Sequence, residues 1–496
     1  MHRRAIYFKR SKFGIAIRAA AENGEAARLL GISVDKVSAF TWIVGSVLAA
    51  IAGILVTDVR NSLDIATLST GFLVRGLAAA LLGGLTSLPG AIVGGLFVGI
   101  GESVLNLWLP EVGGAAETLL FAVIIVVLLF RPGGLFGQVE QSEDKVGFIP
   151  ALRELPAHLR NGVAARGLRW IGVGILGVVV AMTFVTSSKT NGILTEVVLF
   201  GLVGVSLTVL MGYAGQISLG HWGIAGMGAF TTANLVVRAD VPWLLTLPIT
   251  FLVGMMIAVV IGATALRIRG LYLAIATLAF NLSVEFYFFK SEWFAGSTAG
   301  IIINRPKIGP VDLDDPSNRP MFFFCLAVLL AFMWVARNLA RSRTGRAFFG
   351  VRENEKAAAT LGVGITDYKL VAFGISGGMA ALAGALFATN LQIAESTTWT
   401  TQMSLTLVAM AMIGGLGSLS GPVAGAFVVF GLPRLVELEN PWIVPIATGF
   451  LLLVVLVRAQ GGVAGLLHAI RRRLIVSLEE LPGPSSDTPA AQPTGG

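Results

Sequence analysis

The chain has 496 residues, of which 55% are hydrophobic and only 13% are charged. Because soluble domains carry about 25% charged residues, this composition argues against a soluble fold. The net charge of +8 is compatible with a nucleic-acid partner. The basic residues lie in short segments between apolar runs, however, where they orient membrane proteins. We therefore predict an all-α, polytopic transmembrane bundle whose surroundings are the lipid bilayer, with no nucleic-acid partner.

Apolar runs of the length that crosses a bilayer, about 20 residues, recur along the chain. In chain order the predicted helices lie near 39–57, 70–85, 90–108, 116–131, 169–187, 193–212, 219–238, 242–266, 270–289, 320–338, 368–391, 402–416, 421–435 and 442–458. This pattern predicts about 14 spans. The polar stretch 138–167 is predicted to be a cytoplasmic linker, and residues 476–496, rich in Pro, Ser and Gly, a disordered tail.

Positive charge orients these spans. Basic residues gather before the first helix at Lys9, Arg10, Lys12, Arg18 and Arg28, and again at Arg341, Arg343, Arg346, Arg352 and Lys356. Since Lys and Arg concentrate on the cytoplasmic side, we expect both segments, and both chain termini, to be cytoplasmic. The loop 290–319 then lies outside.

A long internal repeat runs through the chain. The segment RSKFGIAIRAAAENGEAARLLGISV from Arg10 matches RSRTGRAFFGVRENEKAAATLGVGI from Arg341, an offset of 341 − 10 = 331. The same offset relates Gly31 to Gly362, Gly53 to Gly384, Gly83 to Gly414, Gly90 to Gly421 and Gly94 to Gly425. Shared composition does not hold such a register, so the chain contains two related units in tandem and in parallel orientation.

The two copies are unequal. We place the first unit at 1–137 and the second, complete one at 168–475, with the linker between them. The first copy has only nine residues before its basic segment, which starts at Arg10. It is therefore expected to lack its N-terminal half. Three explanations remain open: the start lies too late, the gene product is truncated, or another polypeptide supplies that half.

The repeated cytoplasmic segment is alanine-rich and polar. Its marked positions are Glu22, Asn23, Ala26, Ala27 and Gly31 in the first copy and Glu353, Asn354, Ala357, Ala358 and Gly362 in the second. The pattern predicts a short helix that glycine ends. Adjacent small residues offer a face on which a partner protein can lie, while the plainer alternative is an amphipathic connector.

These segments resemble the loop by which the permeases of ABC importers bind their ATPases, in the version found in Liv-type branched-chain amino-acid permeases. Residues 10–137, with LLGGLTSLPG from Leu81 and RPGGLFG from Arg131, resemble the C-terminal half of an H-type permease. Residues 168–475 resemble a whole M-type permease, on the motifs GYAGQISLGH from Gly212, GLYLAIATLAF from Gly270 and IGGLGSLSG from Ile413. The two would be fused here.

The resemblance implies a bacterial inner-membrane importer for branched-chain or similar small amino acids. Its partners would be two ABC ATPase subunits and a periplasmic substrate-binding protein, with another permease subunit as the source of the missing half. The sequence has no G-x-x-x-x-G-K-[ST] motif, so ATP is expected on the partners and no cofactor on this chain. Urea or short amides remain alternative substrates. An ion-driven secondary transporter is an alternative class of protein, and a nonfunctional remnant is a third alternative.

One apolar stretch is interrupted by polar residues, as happens where a helix breaks and its backbone lines a cavity. We single out Gly215, Gln216, Ser218 and His221 there, with Thr277 from the next motif, as candidates for the translocation path. The alternative is that the break serves only to join two helices. No catalytic residue is expected, and His221 lacks other histidines at ligand spacing, so no metal is expected either.

Two glutamates lie within apolar runs, where an ionisable group is costly and a functional candidate by default. Glu102 is expected to be buried among helices. Glu285 lies five residues before Lys290, and we expect it to extend to the membrane surface there. A direct role in substrate binding is the less favoured reading of both.

Overall fold

The computed structural model describes residues 11–60, 72–84, 87–108, 177–265, 270–296, 300–436, 443–458 and 461–479, with a few positions between 118 and 174. These residues are overwhelmingly helical, which confirms the predicted all-α fold class. Seven of the described helices are long and apolar enough to cross a membrane, and shorter apolar helices lie at Thr401–Gly414, Gly421–Leu435 and Ile446–Val455. The predicted span at 116–131 lies largely outside the described residues, as do the linker and all but the first four residues of the tail, whereas residues 177–185 of the predicted span at 169–187 are helical.

The first copy consists of α1 Lys12–Glu22, α2 Gly24–Leu29, α3 Val34–Arg60, α4 Phe72–Gly83 and α5 Leu88–Trp108. Ser11 caps α1, because its hydroxyl accepts a hydrogen bond from the Gly14 amide at 3.0 Å. Helices α4 and α5 approach closely through glycine: a Cβ atom on Gly94 would collide with the Ala79 carbonyl. Small residues thus set the spacing of this pair, as is usual between membrane helices.

The rest of the chain follows the same helical pattern. Its elements are α6 Ser188–Leu207, continued by a π-helical turn Thr208–Tyr213; α7 His221–Val237; α8 Trp243–Ala265; α9 Leu271–Phe286; α10 Glu292–Ala295; β1 Ile301–Ile302; β2 Lys307–Ile308; β3 Val311–Asp312; α11 Arg319–Arg341; α12 Arg343–Glu353; α13 Glu355–Thr360; α14 Ile365–Leu391; β4 Ile393–Ala394; α15 Thr401–Gly414; α16 Gly421–Ala426, continued by a π-helical turn Phe427–Gly431; α17 Leu432–Leu435; α18 Ile443–Arg458; and α19 Gly462–Glu479. Short 3₁₀ turns lie at Phe288–Lys290 and Ser396–Thr398.

The chain divides into two compact units whose segments alternate along the sequence. One unit takes 1–146, 214–303 and 346–406. Its centre is the packing of α7 and α8 on α14. Glycine again permits this contact, since a Cβ on Gly384 would collide with the Ala225 carbonyl and one on Gly228 with the Ala381 carbonyl. Strand β1 pairs antiparallel with β4 in the register Ile301 to Ala394.

The other unit takes 147–213, 304–345 and 407–496. Helix α6 is its most buried element and packs on α11 and α16. Its β2–β3 hairpin pairs Lys307 with Asp312. The Lys307 ammonium donates a hydrogen bond to the Asp312 carboxylate at 2.8 Å, which lowers the pKa of Asp312 and raises that of Lys307.

The repeat in the sequence recurs as a repeat in local geometry. Gly84 and Gly415 both adopt positive φ, +94° and +101°. Gly94 lies against the carbonyl of Ala79, and Gly425 against that of Met410. The pairs Gly84 with Gly415, Gly94 with Gly425 and Ala79 with Met410 are each 331 residues apart, the offset of the sequence repeat.

One pair of equivalent glycines departs from that register. Gly134, with φ +75°, lies against the backbone of Gly84, and Gly462, with φ +66°, lies against the backbone of Gly415. The offset here is 462 − 134 = 328. The RPGGLFG motif of the first copy therefore has its counterpart in RAQGGVAG from Arg458, which the ungapped comparison could not find.

The glycine contact between α7 and α14 yields a test with a built-in control. Gly384→Ala places a methyl group against the Ala225 carbonyl, whereas the equivalent Gly53 has no atom within 4 Å of such a methyl group. We expect Gly384→Ala to destabilise the protein by about 1–3 kcal/mol, and Gly53→Ala to be neutral or slightly stabilising. Melting of the purified protein in detergent measures both, and equal melting temperatures for the two variants would show the packing argument to be wrong.

Candidate functional site

The two alanine-rich segments fold in the same way. The Asn23 side chain accepts a hydrogen bond from the Ala26 amide at 2.9 Å, and Asn354 accepts one from Ala357 at 3.0 Å, so each asparagine caps a short helix. Each helix ends at a glycine with positive φ, Gly31 at +80° and Gly362 at +79°. We call residues 22–31 and 353–362 the first and second alanine loops.

The alanines of each loop face in opposite directions. Ala27 and Ala358 are buried, while their neighbours Ala26 and Ala357 are exposed. The exposed surface also carries a leucine, Leu30 at 79% and Leu361 at 83% exposure. Glu22 ends α1 and is exposed, as is Glu353. An apolar side chain beside small residues at a loop surface is typical of a protein contact.

The second alanine loop is tied to the helices behind it by charge. Glu355, in the loop, pairs with the Lys369 ammonium of α14 at 2.5 Å, and the Lys369 side chain is buried. Arg352 pairs with Glu353 at 2.5 Å. The aliphatic part of Arg352 also lies on Gly215, so that a Cβ there would be 2.6 Å from the Arg352 Cγ. Arg352, the residue just before the loop, is thus in direct contact with the predicted helix break.

The break itself is a short irregular segment that begins at Ala214 and ends where α7 starts at His221. Gly215 adopts φ +69°. The Gln216 amide turns back to donate a hydrogen bond to the Ala214 carbonyl at 3.1 Å. Gln216, Ser218 and His221 are all buried.

A polar network holds this break in place. The two ring nitrogens of His221 lie 2.9 Å from the Ser218 hydroxyl and 3.1 Å from the Ser376 hydroxyl of α14. The Thr277 hydroxyl of α9 accepts a hydrogen bond from the Leu219 amide at 2.8 Å. The structure therefore brings together all five predicted path residues. Both ring nitrogens of His221 are engaged by hydroxyl groups.

Sequence reasoning missed further members of this network. Ser404 donates a hydrogen bond to the Leu219 carbonyl at 2.6 Å, and Ser376 had no sequence signal. A signal did exist in α9: Thr277, Asn281 and Glu285 recur every four residues and so form one polar stripe.

For Glu285 the structure adds partners that the sequence did not reveal: its carboxylate accepts hydrogen bonds from the Thr401 amide at 2.6 Å and the Thr401 hydroxyl at 2.5 Å. Glu102, as expected, is largely buried, and it binds Arg75 through two hydrogen bonds of 2.5 and 2.7 Å. That ion pair explains how its charge is accommodated in the apolar pair α4–α5. Across the described part of the chain, no group of His, Cys, Asp and Glu could hold a metal ion.

A family model described as "Branched-chain amino acid transport system / permease component" matches residues 5–129 and 189–458, well over half of the chain. The chain belongs to this permease family. It is therefore a polytopic membrane subunit of a transport system, in agreement with its apolar helices. The gap in the match, 130–188, includes the predicted linker.

Curated relatives resemble different parts of the permease. It is 29% identical over 311 residues to the high-affinity branched-chain amino acid transport system permease protein LivM of Salmonella typhimurium, covering 58% of this chain and 73% of that protein. It is 37% identical over 137 residues to LivH of Escherichia coli, covering 27% of this chain and 43% of LivH, and 36% identical over 139 residues to BraD of Pseudomonas aeruginosa, with the same coverages. The permease thus has an H-like and an M-like part, and it spans less than half the length of LivH and BraD. The comparison with solved structures gives no match.

Proposed function

We propose that this permease is the membrane component of an inner-membrane ABC importer for branched-chain or similar small amino acids. The observation that carries the proposal is the family match across both copies, residues 5–129 and 189–458. The relatives LivM, LivH and BraD are each named as branched-chain amino acid permease proteins. A periplasmic substrate-binding protein delivers the amino acid, and alternating access moves it inward.

The two alanine loops are the docking points for two ABC ATPase subunits. Their equal caps, equal terminal glycines and exposed leucines support this assignment, because two copies of one ATPase require two similar surfaces. ATP is bound and hydrolysed on those partners, and this chain needs no cofactor of its own. In the second copy, Arg352 passes the loop's movement to the break at Gly215.

The break and the polar stripe of α9 line the translocation path. Gly215, Gln216, Ser218, His221 and Thr277 supply irregular backbone and neutral polar groups in an apolar bundle, which suits a zwitterionic substrate. Glu285 continues the stripe. An ion-driven transporter would instead call for paired ionisable groups along the path, whereas this stripe carries a single one, Glu285, and the two alanine loops would then have no partner.

A further permease segment completes the first copy. Helix α14 buries Ala372, Phe373 and Ala380 within its own unit, but the equivalent helix α3 exposes most of its residues, with Trp42, the counterpart of Phe373, 79% exposed. An open groove lies between α1 and α3, lined by Ile17, Ala20, Ala21, Thr41, Gly45 and Ala49. Helices like α7 and α8, supplied by another subunit or by further sequence, fit this groove.

Competition for uptake tests the substrate class. Right-side-out membrane vesicles that contain the complete transporter should take up labelled L-leucine, and unlabelled valine or isoleucine should compete, whereas urea and acetamide should not. Urea uptake that leucine leaves unaffected would overturn the amino-acid assignment in favour of the urea and amide alternative.

A further inference from the structure

Two buried polar atoms at the C-terminal end of α9 and in the loop after β4 have no hydrogen-bond partner. They are the Asn281 side-chain oxygen and the Trp399 indole nitrogen, and both residues are at most 1% exposed. Buried polar atoms are paired in the great majority of cases, so each exception calls for an explanation. Here one atom is an acceptor and the other a donor.

Both groups lie against glycines of α7. A Cβ on Gly223 would be 2.7 Å from the Asn281 side-chain oxygen, and one on Gly226 would be 2.9 Å from the Trp399 Cγ. These glycines are three residues apart, which is about 4.5 Å along a helix axis. The unpaired acceptor and the tryptophan that carries the unpaired donor are therefore close neighbours on one glycine face.

A carboxylate joins the unpaired acceptor through Thr401. The Asn281 side-chain amide donates a hydrogen bond to the Thr401 hydroxyl at 2.8 Å, and that hydroxyl donates to Glu285 at 2.5 Å. The amide nitrogen of Asn281 is thus occupied, which fixes its oxygen toward α7. An acidic group beside an oriented amide oxygen in an apolar bundle forms an acceptor site for a cation such as an ammonium group.

Aromatic side chains form the remaining wall. The rings of Trp222 and Trp399 are 4.6 Å apart, and Phe387 packs edge-on at 5.4 Å from Trp222 and 5.8 Å from Trp399. Trp222 donates its indole hydrogen to the Thr398 carbonyl at 2.9 Å, which holds the loop over the glycine face. With the Trp222 indole N–H occupied in this way, the Trp399 indole N–H is left to serve as a donor in this wall.

We propose that these groups bind the amino acid directly. Glu285 and the Asn281 oxygen accept the substrate ammonium group, Trp399 donates to the carboxylate, and the three aromatic rings contact the aliphatic side chain. The inference rests on the proposed function and deepens it by naming the residues that meet the substrate. Helix α14, 27 residues or about 40 Å long, begins just after the second alanine loop and ends near this site. The site therefore lies on the face opposite the ATPases.

Ligand binding to the purified full chain in lipid nanodiscs tests the proposal. The ligands are L-leucine, isoamylamine, which lacks the carboxylate, and 4-methylpentanoate, which lacks the ammonium group. The variants are Glu285→Gln, Asn281→Leu and Trp399→Phe. Glu292→Gln, an exposed glutamate just beyond α9, is the matched control. Melting of each variant verifies that it is folded.

We expect saturable leucine binding that weakens about tenfold or more in Glu285→Gln and Asn281→Leu, since a charged ligand group loses a buried partner. Trp399→Phe should weaken leucine but not isoamylamine binding, and Glu292→Gln should bind as the unaltered chain does. No saturable binding, or folded Glu285→Gln and Asn281→Leu variants that bind normally, would overturn the site. If the binding site is overturned but vesicles with the complete transporter still take up leucine, the proposed function stands. If those vesicles take up no leucine, the proposed function itself is refuted.

Discussion

Gly362→Asp is expected to abolish leucine uptake while the protein still reaches the membrane. Gly362 ends the second alanine loop with φ +79°, and a Cβ there meets no atom within 4 Å. The substitution therefore costs only the left-handed backbone conformation, about 1–2 kcal/mol for a residue other than glycine. It places a carboxylate beside the exposed Leu361, however, and an unpaired charge disrupts the core of a protein interface.

Gly309→Asp is the matched control, because Gly309 also has positive φ, +56°, and open space around its Cβ position, but lies in the β2–β3 turn. It should leave uptake unchanged. Glu353→Lys combined with Ala357→Asp should reproduce the loss with Gly362 intact. The measurements are uptake and co-purification of the ATPase at equal protein levels. A Gly362→Asp protein that keeps its ATPase would refute the docking role of the loop.

Gly215→Ala should reduce uptake about tenfold or more by disturbing the contact between the helix break and Arg352, the residue just before the second alanine loop. The added methyl group would lie 2.6 Å from Arg352 Cγ and 3.2 Å from Arg352 Cβ, so either the arginine or the break must shift. Overpacking of this kind costs about 1–3 kcal/mol. Since Gly215 has φ +69°, backbone strain adds to that cost.

A double-mutant cycle separates the steric contact from the strain. Arg352→Ala removes the Cγ atom, so Gly215→Ala should lower the melting temperature less in that background than in the unaltered chain. Gly350→Ala, in the same helix as Arg352 but with no atom near its Cβ, should be harmless. Additive effects of the Gly215 and Arg352 substitutions on the melting temperature would show that the two positions are not energetically coupled.

The sequence predicted those features that depend on local pattern. The helices α3, α5 and α14 follow from hydrophobic length, and the loop glycines Gly31 and Gly362 follow from the repeat. Ser218 and His221 were singled out because polar residues interrupt an apolar run there, and the structure joins them to each other and to the region of Thr277.

Contacts between distant segments could not be predicted in this way. His221 meets Ser376, 155 residues away, and Asn281 meets Thr401, 120 residues away. For Glu285, the nearby Lys290 was visible in the sequence, while the Thr401 amide and hydroxyl that bind the carboxylate were not. The buried Lys369, which pairs with Glu355, is a similar case.

The central claim is that partner ATPases drive amino-acid import through this permease. The most direct test is the initial rate of L-leucine uptake by proteoliposomes that contain the complete transporter and its substrate-binding protein, with ATP enclosed on the ATPase side. We predict uptake that requires both the ATPase subunits and ATP and that continues when ion gradients are collapsed. Uptake by vesicles without the ATPase subunits, driven by a proton or sodium gradient, would contradict the account.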